Sequence, residues 1–368
     1  MKMRTHYLEY QETLSDTDKI IKDLKGSGLI SAIEIEYQAT NGATSCLDHE
    51  IHDDVSKAEV LDGAEVLESL SMKEWIGCNF YELGHMPKAQ LSENAAAVQK
   101  ETFFILFGRF IGDPDYYFDP SKFDNPQLSL ESALTISATA GFATGTGKLT
   151  IKLHLIDEGA AGQKGFISRQ EKYSFTSASS GDELISLPVK DPYQYIGISA
   201  ILTTKRPDEV ISKVKLSFDD DKYVPVNTYT DDIMDKLKSV FGLAQQSKDL
   251  LTADDGSALL DLYDIKKAHI RTNEDDHIAT IEAIDAEKVS NGLYDLTTPG
   301  TPALQGTAKV CPVDVDGLCP HGMVLLTFGD IRKDEGILPV SGYQKLELYL
   351  TQAAASAAVK LVLAQIRG

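Results

Sequence analysis

Val55-Ser56-Lys57-Ala58-Glu59-Val60 recurs 156 residues later as Ile211-Ser212-Lys213-Val214-Lys215-Leu216. Each copy runs into an acidic turn, Asp62-Gly63 in one and Asp219-Asp220-Asp221 in the other. Three further matches follow in the same order. Ile105-Leu106-Phe107-Gly108-Arg109-Phe110 pairs with Leu326-Thr327-Phe328-Gly329-Asp330-Ile331, Gln127-Leu128-Ser129-Leu130 with Gln344-Lys345-Leu346-Glu347-Leu348, and Ile151-Lys152-Leu153-His154-Leu155 with Val359-Lys360-Leu361-Val362-Leu363. A single short apolar match arises by chance, whereas four in one order mark an internal duplication. Their offsets are 156, 221, 217 to 218, and 208. The jump of 65 (221 minus 156) falls after the first match, so the second copy is expected to carry an insertion there.

Most of the remaining chain reads as strands. Alternation runs from Ile33 to Tyr37, expected to stop at the turn pair Asn41-Gly42, and again over Lys148–Ile156 and Lys345–Leu350. Such alternation suits antiparallel sheets with one buried face. No regular strand–helix alternation of a parallel α/β sheet is present. One stretch reads as a helix: Thr230-Asp231-Asp232 opens it, and Ile233, Leu237, Val240, Phe241 and Ala244 form its apolar stripe. The fold class is therefore all-β: two tandem antiparallel β-sandwiches, with about eight strands per copy as in a jelly roll. The expected division is an N-terminal arm over 1–27, a first sandwich over 28–165, and a second over 166–368 with a helix-containing insertion around 228–268. The linker is expected at 159–165 or 177–181.

The chain has 368 residues, 35 Lys plus Arg, 56 Asp plus Glu and a formal charge of −21. That acidity disfavours broad binding to nucleic acid. Met1-Lys2-Met3-Arg4-Thr5-His6 lacks the apolar core of a secretory signal, and no apolar run suggests a transmembrane helix. Four cysteines, Cys46, Cys78, Cys311 and Cys319, are too few for a disulfide scaffold and suit a reducing compartment.

Candidate chemistry is sparse. The stretch from Gly141 to Lys148 has three glycines before a lysine, but its spacing is not that of a phosphate loop and a strand pattern follows; a hairpin loop is expected. Cys311 to Gly322 gathers Cys311, Cys319, His321, Asp314 and Asp316. Thiols eight apart without a CxxC partner do not match a zinc module, so a polar surface loop is expected. Asp219–Asp221 and Asp254-Asp255-Gly256 lack a closing Glu for Ca²⁺, and Glu274-Asp275-Asp276-His277 reads as a surface loop. His49 and His52 are the only close histidine pair, and no HExxH or GxSxG occurs. No catalytic, cofactor-binding or metal-binding residue is therefore assigned, no cofactor is expected, and the chain is not expected to be an enzyme.

Several segments together resemble a known family. They are 18–24 running into the strand 29–37, the turn 39–44, Phe107-Gly108-Arg109, Asp119-Pro120-Ser121-Lys122-Phe123, Asn125-Pro126-Gln127-Leu128, Leu187-Pro188-Val189-Lys190-Asp191-Pro192-Tyr193, and Phe218-Asp219-Asp220-Asp221-Lys222-Tyr223-Val224-Pro225. In these the chain resembles the double jelly-roll major capsid proteins of non-tailed icosahedral double-stranded DNA viruses of bacteria and archaea. The resemblance implies two rolls side by side and a homotrimeric capsomer of pseudo-hexagonal outline. It implies as partners the neighbouring capsomers, penton and minor capsid proteins and, in some members, an internal membrane, with no sequence-specific nucleic-acid binding. It places the chain in the virion shell, assembled in the host cytoplasm. The alternative is a two-domain β-sandwich binding module, recognising carbohydrate or a receptor, with Trp75 and the tyrosines as stacking surfaces.

Overall fold

The computed structural model describes residues 1–47, 49–160, 162–202, 205–251, 257–259, 261–270, 289–290, 293–295 and 310–368. The first half contains β1 (Lys2–Thr13), β2 (Thr17–Asp23), β3 (Leu29–Cys46), β4 (Val55–Asp62), β5 (Glu65–Leu70), α1 (Met72–Leu83), β6 (Ala89–Ser92), β7 (Val98–Leu106), β8 (Pro126–Ala133), β9 (Ala140–Phe142) and β10 (Lys148–Glu158). The second begins with β11 (Phe166–Thr176), β12 (Asp182–Leu187), β13 (Tyr193–Ile201), α2 (Pro207–Val210), β14 (Ile211–Phe218), β15 (Tyr223–Tyr229) and α3 (Thr230–Phe241). Next come β16 (Ala244–Leu251), β17 (Ser257–Leu259), β18 (Leu262–Ile270), β19 (Val289–Ser290), β20 (Leu293–Asp295) and β21 (Val310–Pro320). The chain closes with β22 (Met323–Thr327), β23 (Leu346–Gln352) and β24 (Ala358–Arg367).

In the first half, strands β1-β10-β3-β7 form one sheet and β2-β8-β4-β5 the other. The chain crosses between them at nearly every step, which wraps two antiparallel sheets around one core. The second half repeats this winding as β11-β24-β13-β22 and β12-β23-β14-β15. Thus β4 corresponds to β14, β7 to β22, β8 to β23 and β10 to β24. Each of the four sequence matches falls on one of these pairs. The core is built by alternation: Leu149, Ile151, Leu153 and Leu155 of β10 point inward with Ile33, Ile35 and Tyr37 of β3.

Three expectations change. Residues 1–27 are not an arm: β1 and β2 pair along their lengths with β10 and β8, because Ile20, Leu14 and Leu24 complete the first core. The strand β3 runs through Asn41-Gly42 instead of turning there. The buried Asn41 amide donates to Ser92 O (2.6 Å) and Asn94 O (2.8 Å), so a polar residue is satisfied within the ladder. The helix α3 is not peculiar to the insertion, since α1 occupies the same place after β5; the extra elements are β16 to β21.

The rolls are continuous with each other. A parallel bridge between Ser69 of β5 and Gln170 of β11 joins two sheets into one of eight strands. Strand β6 likewise pairs with β16, so the insertion extends the β1-β10-β3-β7 sheet.

Candidate functional site

The junction between the rolls is built around α1. Its backbone opens at Ser71, whose N–H donates to Glu74 Oε2 (2.7 Å), and closes at Gly84 in the left-handed region. Gly77 lets it lie close to the second roll, for an added Cβ would stand 2.9 Å from Met323 Cβ and 3.0 Å from Pro320 O. Tyr81 donates its hydroxyl to Met323 O (2.8 Å). At the helix end, Glu82 Oε1 accepts from Arg169 Nε (2.5 Å) and from Tyr195 OH (2.8 Å). The Arg169 guanidinium also donates to the carbonyls of Leu106, Ile167 (3.0 Å) and Gly108 (3.2 Å). Burial opposes the charge on Arg169, but Glu82, Tyr195 and Glu68 raise its pKa above the ordinary value. Burial pushes the Glu68 carboxyl well up, against the pull of Arg169. At the rim, Arg109 holds Asp113 through two nitrogens (2.7 and 2.9 Å) and reaches Asp334 of the second roll (2.6 Å).

A second buried polar cluster ties the first roll to the insertion. Glu50 and His52 come from the short helical turn after β3, Glu93 and Glu101 from β6–β7, Lys248 from β16, Asp261 from before β18, and His321 from the β21–β22 turn. Lys248 Nζ lies 2.6 Å from Glu50 and 3.2 Å from Glu93. His52 Nδ1 faces Glu101 Oε2 at 2.8 Å, and its Nε2 faces Asp261 Oδ1 at 3.2 Å. Burial would lower the His52 pKa, but Asp261 and Glu101 hold it well above the usual imidazole value. Burial pushes His321 down to about 3. Burial also raises the Glu50 and Glu101 carboxyls.

The cysteine–histidine stretch is not a surface loop. Residues 310–320 form β21, with Val313, Val315 and Leu318 buried, because the alternating apolar residues outweigh the aspartates between them. Cys319 is a buried free thiol, as are Cys46 and Cys78. His49 bonds to Asp54 (3.0 Å), apart from the His52 cluster. The glycine-rich segment after Gly141 joins β9 to β10, which do not pair with each other, and Asp16 accepts from Gly145 N (2.6 Å) and Thr144 Oγ1 (2.5 Å). Asp219–Asp221 turn β14 into β15. Asp254, Asp255, Glu274, Asp275, Asp276 and His277 lie outside the described residues, as does the side chain of Cys311. The cluster joining His52 to Asp261 and His321 was not read from sequence; its members lie 209 and 60 residues apart, and only the fold brings them together.

Two edges are open. Strand β1 is exposed along most of its length, with Tyr7 and Tyr10 outward, whereas its counterpart β11 is buried from Phe166 to Gln170. Strand β15 is open with Tyr223 and Tyr229 outward, whereas its counterpart β5 is covered by β11.

No protein-family description and no curated protein sequence matches the chain. Solved structures do match over its full length. The major capsid protein of Sulfolobus turreted icosahedral virus superposes with TM-score 0.59 at 8% identity, covering 100% of this chain and 97% of that one. The capsid protein of the PBCV-1 virus gives 0.58 at 10% identity (99% and 93%), and the major capsid protein P2 of bacteriophage PM2 gives 0.55 at 8% (100% and 98%). The chain is a double jelly roll. Its two rolls carry the winding derived above, and the second of them carries the β16–β21 insertion.

Proposed function

We propose that this double jelly roll is a major capsid protein whose trimers, pseudo-hexagonal in outline, tile an icosahedral virion shell. The observation that carries the reading is a contact made once inside the chain and left open at its counterpart. Aligned from first residue to closing glycine (Gly84, Gly242), α1 and α3 equate Glu82 with Val240 and Glu74 with Asp232. Aligned through β10 and β24, Arg169 equates with Met3 and Tyr195 with Leu29. The buried polar set Glu82, Arg169, Tyr195 thus becomes Val240, Met3, Leu29, an apolar set split between α3 and the β1 side of the molecule. Val240 is 63% exposed. The ion pair Lys360–Glu74 (2.5 Å) becomes Lys152 and Asp232, split in the same way. Docking α3 and β15 of one copy onto β1 and β10 of the next repeats the internal junction head to tail. Such a heterologous contact closes into a ring when its rotation permits, and three chains supply six rolls.

In this reading the structural units are 2–158 and 166–367. The chain acts in the virion shell without catalysis, and its partners are its own copies, neighbouring capsomers and penton or minor capsid proteins, over an internal membrane where the virus has one. The acidic surface leaves packaged DNA to other components.

Sedimentation or mass photometry tests this directly. The wild type is expected as a trimer burying well over about 2,000 Å². Val240→Asp and Met3→Asp are each expected to give a folded monomer whose thermal midpoint lies below that of the trimer and does not depend on concentration. A strict wild-type monomer at high concentration sinks the reading and favours a two-domain binding module. Trp75 cannot serve that alternative, being fully buried with its indole N–H on Ala58 O (3.3 Å), which leaves it the exposed tyrosines alone.

A further inference from the structure

We propose that His52, Asp261 and His321 form a buried three-ligand binding site for a divalent transition metal, with Zn²⁺ the best fit and the fourth position open beside Glu50. Tetrahedral zinc with nitrogen and oxygen ligands at about 2.0–2.1 Å requires ligand atoms about 3.3 Å apart. Asp261 Oδ1 stands 3.2 Å from His52 Nε2, Glu50 Oε2 stands 3.5 Å from the same nitrogen, and His321 Nδ1 stands 3.5 Å from Asp261 Oδ1. One ligand atom from each of His52, Asp261 and His321 lies within 4.8 Å of the others. The two imidazoles meet edge to face with centroids 4.6 Å apart.

Two buried atoms at this point lack hydrogen-bond partners: Glu50 Oε2 and His321 Nε2. Their residues are only 1% and 2% exposed. Unpartnered buried polar atoms are costly; an ion held through one nitrogen of His321 gives that ring a partner and places a positive charge beside the Glu50 carboxyl. The surrounding groups are those that orient metal ligands. Glu101 accepts from or shares a proton with His52 Nδ1, Lys248 holds Glu50 Oε1, and Gln246 donates to Asp261 Oδ2 (2.5 Å). His321 itself is held at φ +49° in the left-handed region, its N–H on Asp261 O (2.7 Å) and its carbonyl accepting from Ser199 (3.1 Å).

The cluster is rich in carboxyl groups: Glu50 and Glu93 pair with Lys248, and Glu101 and Asp261 face His52. A cavity of about 420 Å³ lined by His85, Met86, Gln246, Glu101 and Asp261 opens onto the cluster and gives an ion a way in. Two imidazoles with one carboxylate favour zinc over Mg²⁺ or Ca²⁺, which take oxygen shells. A bound ion would staple the first roll's β3–β4 connection to the insertion and the β21–β22 turn.

The test uses the untagged full chain, stripped with a chelator and dialysed against ZnCl₂. Elemental analysis is expected to find one zinc per chain, with a thermal midpoint that rises with Zn²⁺ but not with Mg²⁺ or Ca²⁺. Co²⁺ loading is expected to give the intense visible bands of a tetrahedral site. His321→Gln and His52→Gln are expected to abolish both the metal and the shift. Absence of bound zinc in the wild type, a weak octahedral Co²⁺ spectrum, or full zinc binding by a folded His321→Gln variant each overturns the proposal. The wild-type Co²⁺ spectrum decides the matter even if the variants do not fold.

Discussion

Helices α1 and α3 hold the same station in their two rolls, yet among the described residues only α1 has its outer side covered by the other roll. Ten of the twelve residues of α1 are buried, against Thr230, Ile233, Met234 and Leu237 in α3. The difference lies in what each helix faces. The outer side of α1 meets β11, β13 and β22 of the second roll, and its sequence there is Gly77, Tyr81 and Glu82. The matching side of α3 is Asp235, Ser239 and Val240, all exposed. One fold position has therefore been given two surfaces: a polar one that locks in place when the chain folds, and a partly apolar one suited to a later encounter.

The largest expected effect comes from making the first surface like the second. Glu82→Val strands the buried Arg169 guanidinium, and removing one partner of a buried pair costs about 3–5 kcal/mol. Arg169→Met alone leaves Glu82 buried with Tyr195 OH and Asn79 Nδ2 as its donors, a smaller loss because a carboxyl can protonate. The double variant Glu82→Val/Arg169→Met reproduces the apolar pairing inferred for Val240 and Met3 and is expected to recover most of the stability of wild type in urea unfolding. A double variant no more stable than Glu82→Val would show that the two junctions are not equivalent.

The same contrast explains what was legible beforehand. α3 showed in the sequence because one face is polar, so its apolar residues recur at helical spacing. α1 did not, because burial on nearly all sides removes that periodicity; its signals were Ser71 and Glu74 at the start and Gly84 at the end. Strands β4, β7, β8 and β10 were read through their repeats, and alternation marked β10 and β23. Strand β1 was missed: as an open edge strand it buries little, so nothing marks it as more than an arm. β21 was misread because its Cys, Asp, Pro and Gly residues imitate a loop. The His52–Asp261–His321 cluster was beyond sequence reasoning, since its spacing depends on where β16, β18 and β21 attach.

An intermediate effect separates the open face of β10 from the covered face of β24. On β10, the Glu34 carboxylate lies 2.9 Å from His154 Nε2 and 2.6 Å from Lys152 Nζ. The hydrogen bond to His154 and the Lys152 ammonium overcome burial and lower its pKa from 4.5 to about 2. A carboxylate depressed in the folded state contributes stability above its unfolded pKa and loses it as pH falls through the folded one. The wild-type unfolding midpoint is therefore expected to drop between about pH 4.5 and 2, and Glu34→Gln to flatten that limb. If the trimer docks over β10, as the covered face of β24 suggests, the flattening is seen cleanly in the monomeric Val240→Asp background. An unchanged acid limb in Glu34→Gln would assign the loss to other carboxylates.

The smallest expected effect lies in the turns that join β4 to β5 and β14 to β15. The first turns through Gly63, at φ +59°, where a glycine meets no steric penalty. The second takes Asp219, Asp220 and Asp221 through the left-handed region in succession, at φ +46°, +56° and +66°. Two of these are held by what their carboxylates accept. Asp219 Oδ1 takes the N–H groups of Gln344 (2.8 Å) and Lys345 (2.9 Å), and Asp221 takes Ser217 Oγ (2.6 Å) and Lys215 Nζ (2.7 Å). Asp220 reaches only Lys345 Nζ (2.8 Å) at the surface. Asp220→Gly is therefore expected to leave the denaturation midpoint unchanged or raise it slightly, as relief of left-handed strain offsets the gain in unfolded-chain entropy. Asp219→Gly and Asp221→Gly relieve similar strain but also release those hydrogen bonds, so both are expected to fall below wild type. If all three glycine variants behave alike, backbone conformation alone shapes the turn, and the aspartates contribute nothing that Gly63 does not supply in the first roll.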